Sequence, residues 1–314
     1  MKITVILCTF NRCDLLANAL ESLARSVLPA GVDWDVLVVD NKSTDRTRDV
    51  IQSFCDRYPG RFRYLFEAQA GKSYALNSGI REANSDLLAF TDDDVVVEPT
   101  WLTNVTAALD GSWAGVGGRI LPEPFSPPNW IPAGDPHALA PLAVFTPDIK
   151  AGPMDQPPYG ANMAYDRRVF EKYGGFRTDL GPKAGSKNPQ KSEDSEFGQR
   201  VLAAGERLRY EPSAVVYHTV PPHRVQKKYF LDWWYDKARA DIHILGIPSG
   251  AGSSIAGVPL ILFRRLAMWT LRWTLAVDPA RRFSCKLKVW TNMGEIRECY
   301  RLSRAATANH SKSD

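Results

Sequence analysis

The chain has 314 residues, 44% of them hydrophobic and 24% charged, the mix of a folded protein with a substantial core. That balance excludes wholesale disorder and a collagen-like fibre, and a formal net charge of +4 is too mild to point to nucleic acid. The charge is unevenly placed: from Ile255 to Arg304 ten Lys/Arg stand against Asp278, Glu295 and Glu298, a net of +7, which leaves the remainder slightly acidic.

The five cysteines, Cys8, Cys13, Cys55, Cys285 and Cys299, are scattered and form no CxxC pair, a poor disulfide framework. The N-terminal apolar run is too short for a signal h-region. No stretch reaches the ~20 uninterrupted apolar residues of a membrane span. A reducing, cytoplasmic setting is expected.

Ile3 to Leu7 reads as a buried strand, and Asp14 to Arg25 places Leu15, Leu16, Ala19, Leu20 and Leu23 on one helical face. Trp34 to Val39 is a second strand, ending at Asp40. Thr44 or Asp45 caps a helix running through Phe54. Phe62 to Phe66 is a third strand, Ser73 to Ala83 a helix and Leu87 to Phe90 a fourth strand. Pro99 opens a helix through Leu109, and a further strand begins at Ala114. Such alternation means βαβ units and a mainly parallel sheet, with ligands beyond the carboxyl ends of the strands. The residues there are Thr9 to Arg12, Asp40 to Ser43 and Thr91 to Asp94, all polar, and they are expected to converge on one crevice.

Residues 121–158 hold 11 of the 22 prolines and show no sustained periodicity, as fits a linker, a wrapped loop or a mobile lid. The expected organisation is therefore 1–120, a Pro-rich segment 121–158, a second patterned half 159–225 and a helical, basic region 226–314.

Asp92-Asp93-Asp94 follows an apolar run. Adjacent carboxylates repel unless a cation sits among them, and hard oxygen ligands suit Mg²⁺ or Mn²⁺; the alternative is a solvated acidic turn. Asp40 ends a strand, where a carboxylate can accept hydrogen bonds from a ribose or a base. No GxGxxG follows the first strand and no Gx₄GK[ST] occurs, which argues against a dinucleotide-binding domain and a P-loop NTPase.

Taken in order, Thr9-Phe-Asn-Arg12, Val38 to Asp45, Gly71-Lys-Ser-Tyr-Ala-Leu-Asn-Ser-Gly79, Asp92-Asp-Asp94, Gly160-Ala-Asn162, Gly174-Gly-Phe176, Glu193-Asp194 and Tyr217-His218 resemble the family 2 glycosyltransferases. The resemblance implies the GT-A fold, an α/β, Rossmann-like sheet flanked by helices, and an inverting transfer of the hexosyl type from a nucleotide-sugar. It implies that Thr9, Asn11, Arg12 and Asp40 hold the base and ribose and that Lys72 reaches the base or phosphates. Asp92 and Asp94 look like the family's DxD pair, binding ribose and a divalent metal, with Asp93 an alternative ligand in this continuous triplet. His218 looks like a further metal or diphosphate contact, its other role being structural.

Departure of a nucleoside diphosphate leaves an oxocarbenium-like sugar, and a cation at the diphosphate stabilises the developing charge. The attacking hydroxyl needs a base. Glu193-Asp194 matches the family's acceptor-side motif, with Asp194 as that base and Glu193 on the acceptor; the pair also suits a helix N-terminus. Processive relatives carry a Gln-x-x-Arg-Trp segment after this region. Here Gln199 is followed by Arg200 and no such pentapeptide occurs, so a single addition is expected.

Val258 to Val277 is apolar but broken by Arg264, Arg265 and Arg272. This reads as an amphipathic helix lying on an anionic leaflet, the alternative being a helix packed on the catalytic domain with its arginines snorkelling. Trp233 and Trp234 can stack on an acceptor sugar or simply pack. Together these features lead to a metal-dependent transferase acting on a saccharide or lipid-linked acceptor, peripheral on the inner face of the cell membrane and without nucleic acid. The rivals are a sugar-phosphate nucleotidyltransferase, which needs a Gly-rich first loop that Thr9 to Arg12 lacks, and a non-catalytic nucleotide-binding scaffold.

Overall fold

A computed structural model describes residues 1–123, 128–131, 139–147, 149–183, 192–248 and 253–310. They fall into two compact units. The first comprises Met1–Pro124, Ala143–Lys187 and Glu193–Thr219, and the second Phe125–Leu142, Asn188–Ser192 and Val220–Asp314.

The first unit is an α/β sheet structure. Its strands are β1 (Lys2–Thr9), β2 (Asp33–Asp40), β3 (Phe62–Phe66), β4 (Leu87–Asp92), β5 (Val95–Val97), β6 (Gly115–Pro122), β7 (Gly152–Met154), β8 (Met163–Asp166) and β9 (Leu208–His218). They are ordered β3-β2-β1-β4-β8-β6-β9-β5, with β7 added to β9. β1 runs parallel to β2 and β4, and β2 runs parallel to β3, as the strand–helix alternation predicts. Past β4 the sheet is mixed, because β8 enters antiparallel to both β4 and β6. β9 is parallel to β6 and antiparallel to β5 and β7.

The helices of this unit are α1 (Cys13–Ala24), α2 (Thr47–Arg57), α3 (Lys72–Glu82), α4 (Trp101–Ala108), α5 (Arg167–Tyr173) and α6 (Glu193–Ala203). On α1 the apolar period buries Leu16, Ala19, Leu20 and Leu23, each leucine contributing roughly 1.5–3 kcal/mol. The α2 N-terminus is held by Asp45, whose Oδ1 accepts the Thr47 N–H at 3.0 Å. Gly71, at φ 140°, provides the sharp entry to α3. Further along, Phe170 and Phe197 stack at 4.7 Å, and Tyr165 meets Phe197 edge-on at 5.1 Å. This aromatic cluster pins α5 and α6 to the sheet and so fixes where the α6 N-terminus points.

The described parts of the Pro-rich segment include the end of β6, a 3₁₀ turn at Ala140–Leu142, β7 and a bridge from Phe145 to Ile120. Residues 124–127, 132–138 and 148 of that segment lie outside the described residues, and the lid expected there falls partly on them.

The second unit is helical, with α7 (Lys227–Leu245), α8 (Leu260–Leu275) and α9 (Pro279–His310), and a two-stranded ribbon of β10 (Ser254–Ile255) and β11 (Val258–Pro259). α9 packs along α7 and α8. Its Glu298 is wholly buried, and accepts from Arg239 Nε at 3.2 Å and from Arg301, the pairing that a buried carboxylate requires. Among the described residues no helix is long and apolar enough to cross a membrane.

Candidate active site

Parallel pairing sets Thr9 beside Asp40 and Cys8 beside Asp92, so the turns after β1, β2 and β4 open at the same end of the sheet. Asn11 clips the first two turns together. Its side-chain oxygen accepts the Thr44 N–H at 2.7 Å, and its own N–H donates to Ser43 Oγ at 3.0 Å. Asp40 is buried, accepting the Ser43 N–H at 2.8 Å and the Tyr64 hydroxyl at 3.2 Å. Both residues shape the turns at this end of the sheet.

The acidic triplet is compensated by side chains of the chain itself. Arg12 Nη1 donates to Asp93 at 2.8 Å and to Asp94 at 2.9 Å. Lys72, in the first turn of α3, donates to Asp92 at 2.5 Å and lies 3.8 Å from Glu193. Asp94 Oδ1 lies 3.4 Å from His218 Nε2, both side chains being buried. That approach follows from sheet register, since β5 pairs Val95 with His218 and the Thr219 N–H donates to the Asp94 carbonyl at 2.9 Å.

Charge follows from these contacts. Burial pushes the Asp93 carboxyl up to about 6, against the pull of Arg12. Burial opposes the charge on Lys72, but Asp92 and Glu193 outweigh it and hold the ammonium well above its ordinary range. Burial raises the Cys8 thiol far above its usual value, so it stays neutral beneath the site.

The first two residues of α6 face different surroundings. Glu193 is buried and turned towards Lys72. Asp194 is half-buried, its Oδ2 accepting the Gly160 N–H at 2.8 Å and its Oδ1 the Ser195 N–H at 2.7 Å. A Cβ on Gly160 would stand 3.2 Å from Asp194 Oδ2, so glycine there permits the close approach. The Ser195 hydroxyl also donates to Oδ1 at 3.4 Å, so of the carboxylate's roughly four acceptor sites Asp194 keeps capacity on Oδ2 for a further proton donor. Burial, and then the Asp194 charge, push Glu193 up to about 7 against the pull of Lys72.

A stability measurement reads this directly. Because the folded state raises Glu193 from 4.5 to about 7, its contribution is complete below the lower value and is lost as pH rises through the higher one. The melting temperature of the wild type is expected to fall more between about pH 5 and pH 8 than that of Glu193→Gln. Parallel curves for the two proteins would remove the assignment.

Gly160 and Asn162 do work that sequence reasoning left unassigned. The Asn162 amide accepts the Trp101 indole N–H at 2.8 Å and donates to the Arg119 and Ala214 carbonyls at 2.9 and 2.8 Å, joining β6, β9 and α4. The tie from Lys72 to Glu193 was likewise unassigned; only the presence of a lysine and a carboxylate in two separate motifs signalled it. Trp233 and Trp234 lie on α7 of the second unit, edge-to-face at 5.0 Å.

Asp94 and His218 place a hard oxygen and an imidazole nitrogen 3.4 Å apart, a donor pair suited to Mn²⁺ or Mg²⁺. Among the described residues no cluster of three or more His, Cys, Asp or Glu is arranged to hold a metal. Two protein donors nevertheless fit a cation that takes the rest of its shell from phosphate oxygens and water.

Residues 4–174, over half of the chain, match the model of glycosyl transferase family 2, and the chain belongs to that family of glycosyltransferases. The succinoglycan biosynthesis protein ExoM of Rhizobium meliloti (strain 1021) is 28% identical over 227 residues, 71% of this chain and 69% of ExoM. The glucosyl-dolichyl phosphate glucuronosyltransferase of Haloferax volcanii is 26% identical over 248 residues, covering 74% of this chain and 72% of that enzyme. Among solved structures, the mannosyltransferase PcManGT from Pyrobaculum calidifontis, in complex with GDP-Man and Mn²⁺, superposes with a TM-score of 0.58 at 19% identity, covering 99% of this chain and 79% of that one. The fold is that of the GT-A glycosyltransferases.

Proposed function

We propose that this glycosyltransferase moves a single sugar, with inversion, from a nucleoside-diphosphate donor to a saccharide or lipid-linked acceptor at the cytoplasmic face of the membrane. The observation that carries it is the Lys72 bridge, which joins Asp92, after β4, to Glu193, at the start of α6. The Mn²⁺ and GDP-Man of PcManGT, a protein of the same fold, support the donor class and the metal. The absent Gln-x-x-Arg-Trp segment supports single addition.

Thr9, Asn11, Arg12 and Asp40 take the nucleoside. Lys72, which also holds Asp92, reaches the base or the phosphates. Asp94 with His218 holds the metal, and Asp92 and Asp93 orient ribose and Arg12. When bound, the metal supplies Lewis-acid stabilisation of the departing diphosphate. Asp194, oriented by the Gly160 and Ser195 amides, takes the proton of the attacking acceptor hydroxyl, and Glu193 positions that acceptor.

A screen of nucleotide-sugars for thermal stabilisation, with and without Mn²⁺, tests the donor class. A ligand at about 100 times its Kd adds about 2.7 kcal/mol of stability. At least one nucleoside diphosphate sugar is expected to raise the melting temperature only when Mn²⁺ or Mg²⁺ is present. If no nucleotide shifts melting under either condition, the crevice is not a nucleotide-sugar site.

A further inference from the structure

We propose that the outward face of α8 is a docking surface for an anionic lipid leaflet. One side of this 16-residue helix turns inward through Leu262, with Leu266, Trp269 and Trp273 half-buried beside it. At ~100° per residue, Ile261, Met268, Leu271 and Leu275 fall within an arc of about 80° on the opposite side. That arc is exposed, Leu271 by 61% and Leu275 by 70%, and Val277 continues it at 93%. An apolar side chain contributes to folding only in so far as it leaves water, so Leu271 and Leu275 add little to the stability of the unit as it stands.

The charge around the stripe is mainly positive, the acidic neighbours being Glu295, 3.7 Å from Arg265, and Asp278 beyond Val277. α8 contains no Asp or Glu; Arg264 lies inside the arc and Arg265 and Arg272 border it. The Arg272 guanidinium sits 4.8 Å over the ring of half-buried Trp269, at the boundary between the stripe and the inward side. Arg281, Arg282 and Lys288 are also exposed, on α9, which packs along α8.

Apolar side chains flanked by cations match an anionic interface, where leucines enter the acyl boundary and arginines meet phosphates. A second copy docked by a two-fold axis would set these arginines against their own equivalents. Nucleic acid would leave the leucines without an apolar partner. The helix spans about 24 Å, short of the ~30 Å hydrocarbon core, so it lies on the leaflet and does not cross it.

This surface deepens the membrane-face acceptor proposed above and rests on it for its purpose, while the vesicle test requires neither donor nor acceptor. The full chain is expected to sediment with vesicles of phosphatidylcholine plus phosphatidylglycerol, far less with phosphatidylcholine alone, and to be released by high salt. Leu271→Asp with Leu275→Asp is expected to lower partition about tenfold or more. Both positions are exposed, so melting temperature and nucleotide binding should stay unchanged. Arg264→Gln with Arg272→Gln should flatten the salt dependence. Wild-type protein that ignores the anionic vesicles, or leucine variants that partition as the wild type does, overturns the docking surface. A dimer without vesicles that the leucine variants dissociate also overturns it, in favour of a second copy. Nucleotide binding that persists in any of these cases leaves the transferase assignment standing.

Discussion

Asp194→Asn is expected to lower turnover by about 10²–10⁴-fold while nucleotide affinity stays that of the wild type. Asn keeps the shape of the side chain and one carbonyl oxygen for a backbone amide. It removes the basic oxygen and leaves either the Gly160 or the Ser195 N–H without its acceptor. A lost acceptor of this kind costs roughly 1–3 kcal/mol, so a modest drop in melting temperature accompanies the kinetic loss. Glu193→Gln provides the comparison. It faces Lys72 and is expected to reduce turnover far less. If Glu193→Gln abolishes transfer and Asp194→Asn spares it, the base is the buried carboxyl. If both variants turn over normally, the pair serves only the α6 N-terminus.

Asp94→Asn should weaken Mn²⁺-dependent binding of a nucleoside diphosphate by about 100-fold or more, the scale of a lost metal contact worth several kcal/mol. The substitution is nearly isosteric. Arg12 retains Asp93 at 2.8 Å, so folding and the metal-independent part of nucleotide affinity should survive. Calorimetry with and without Mn²⁺ separates the two contributions. Unchanged affinity in Mn²⁺, together with its loss in Asp92→Asn, would move the ligand to the other end of the triplet.

Much of this site was legible because its parts follow strands that periodicity alone identifies. β1 to β4 and the helices between them lie where the apolar runs put them, and parallel order brings Thr9, Asp40 and Asp92 to one edge. The far half of the sheet was less legible. β8 spans only Met163–Asp166, and β9 is long enough to serve three partners, so neither has a local pattern that states its direction. The partners of the triplet were hidden for another reason. Arg12 and Lys72 were expected to meet the ligand, whereas both face carboxylates of the chain, a pairing that depends on the descent of two loops and not on residue spacing. The register of the triplet shows the same limit: three identical side chains are indistinguishable until β5 and β9 set His218 beside the last of them.

The placement of His218 has a kinetic side. The turns carrying Asn11, Asp40 and Lys72 belong to strand–helix units whose partners are near neighbours along the chain. Asp94 and His218 meet only when β9 has closed against both β5 and β6. Contacts of such long sequence separation carry a large loop-closure entropy and form slowly. In a chain emerging N-terminus first, the turns after β1 and β2 therefore assemble ahead of the Asp94–His218 pair. A nascent chain that ends before β9 carries the first without the second.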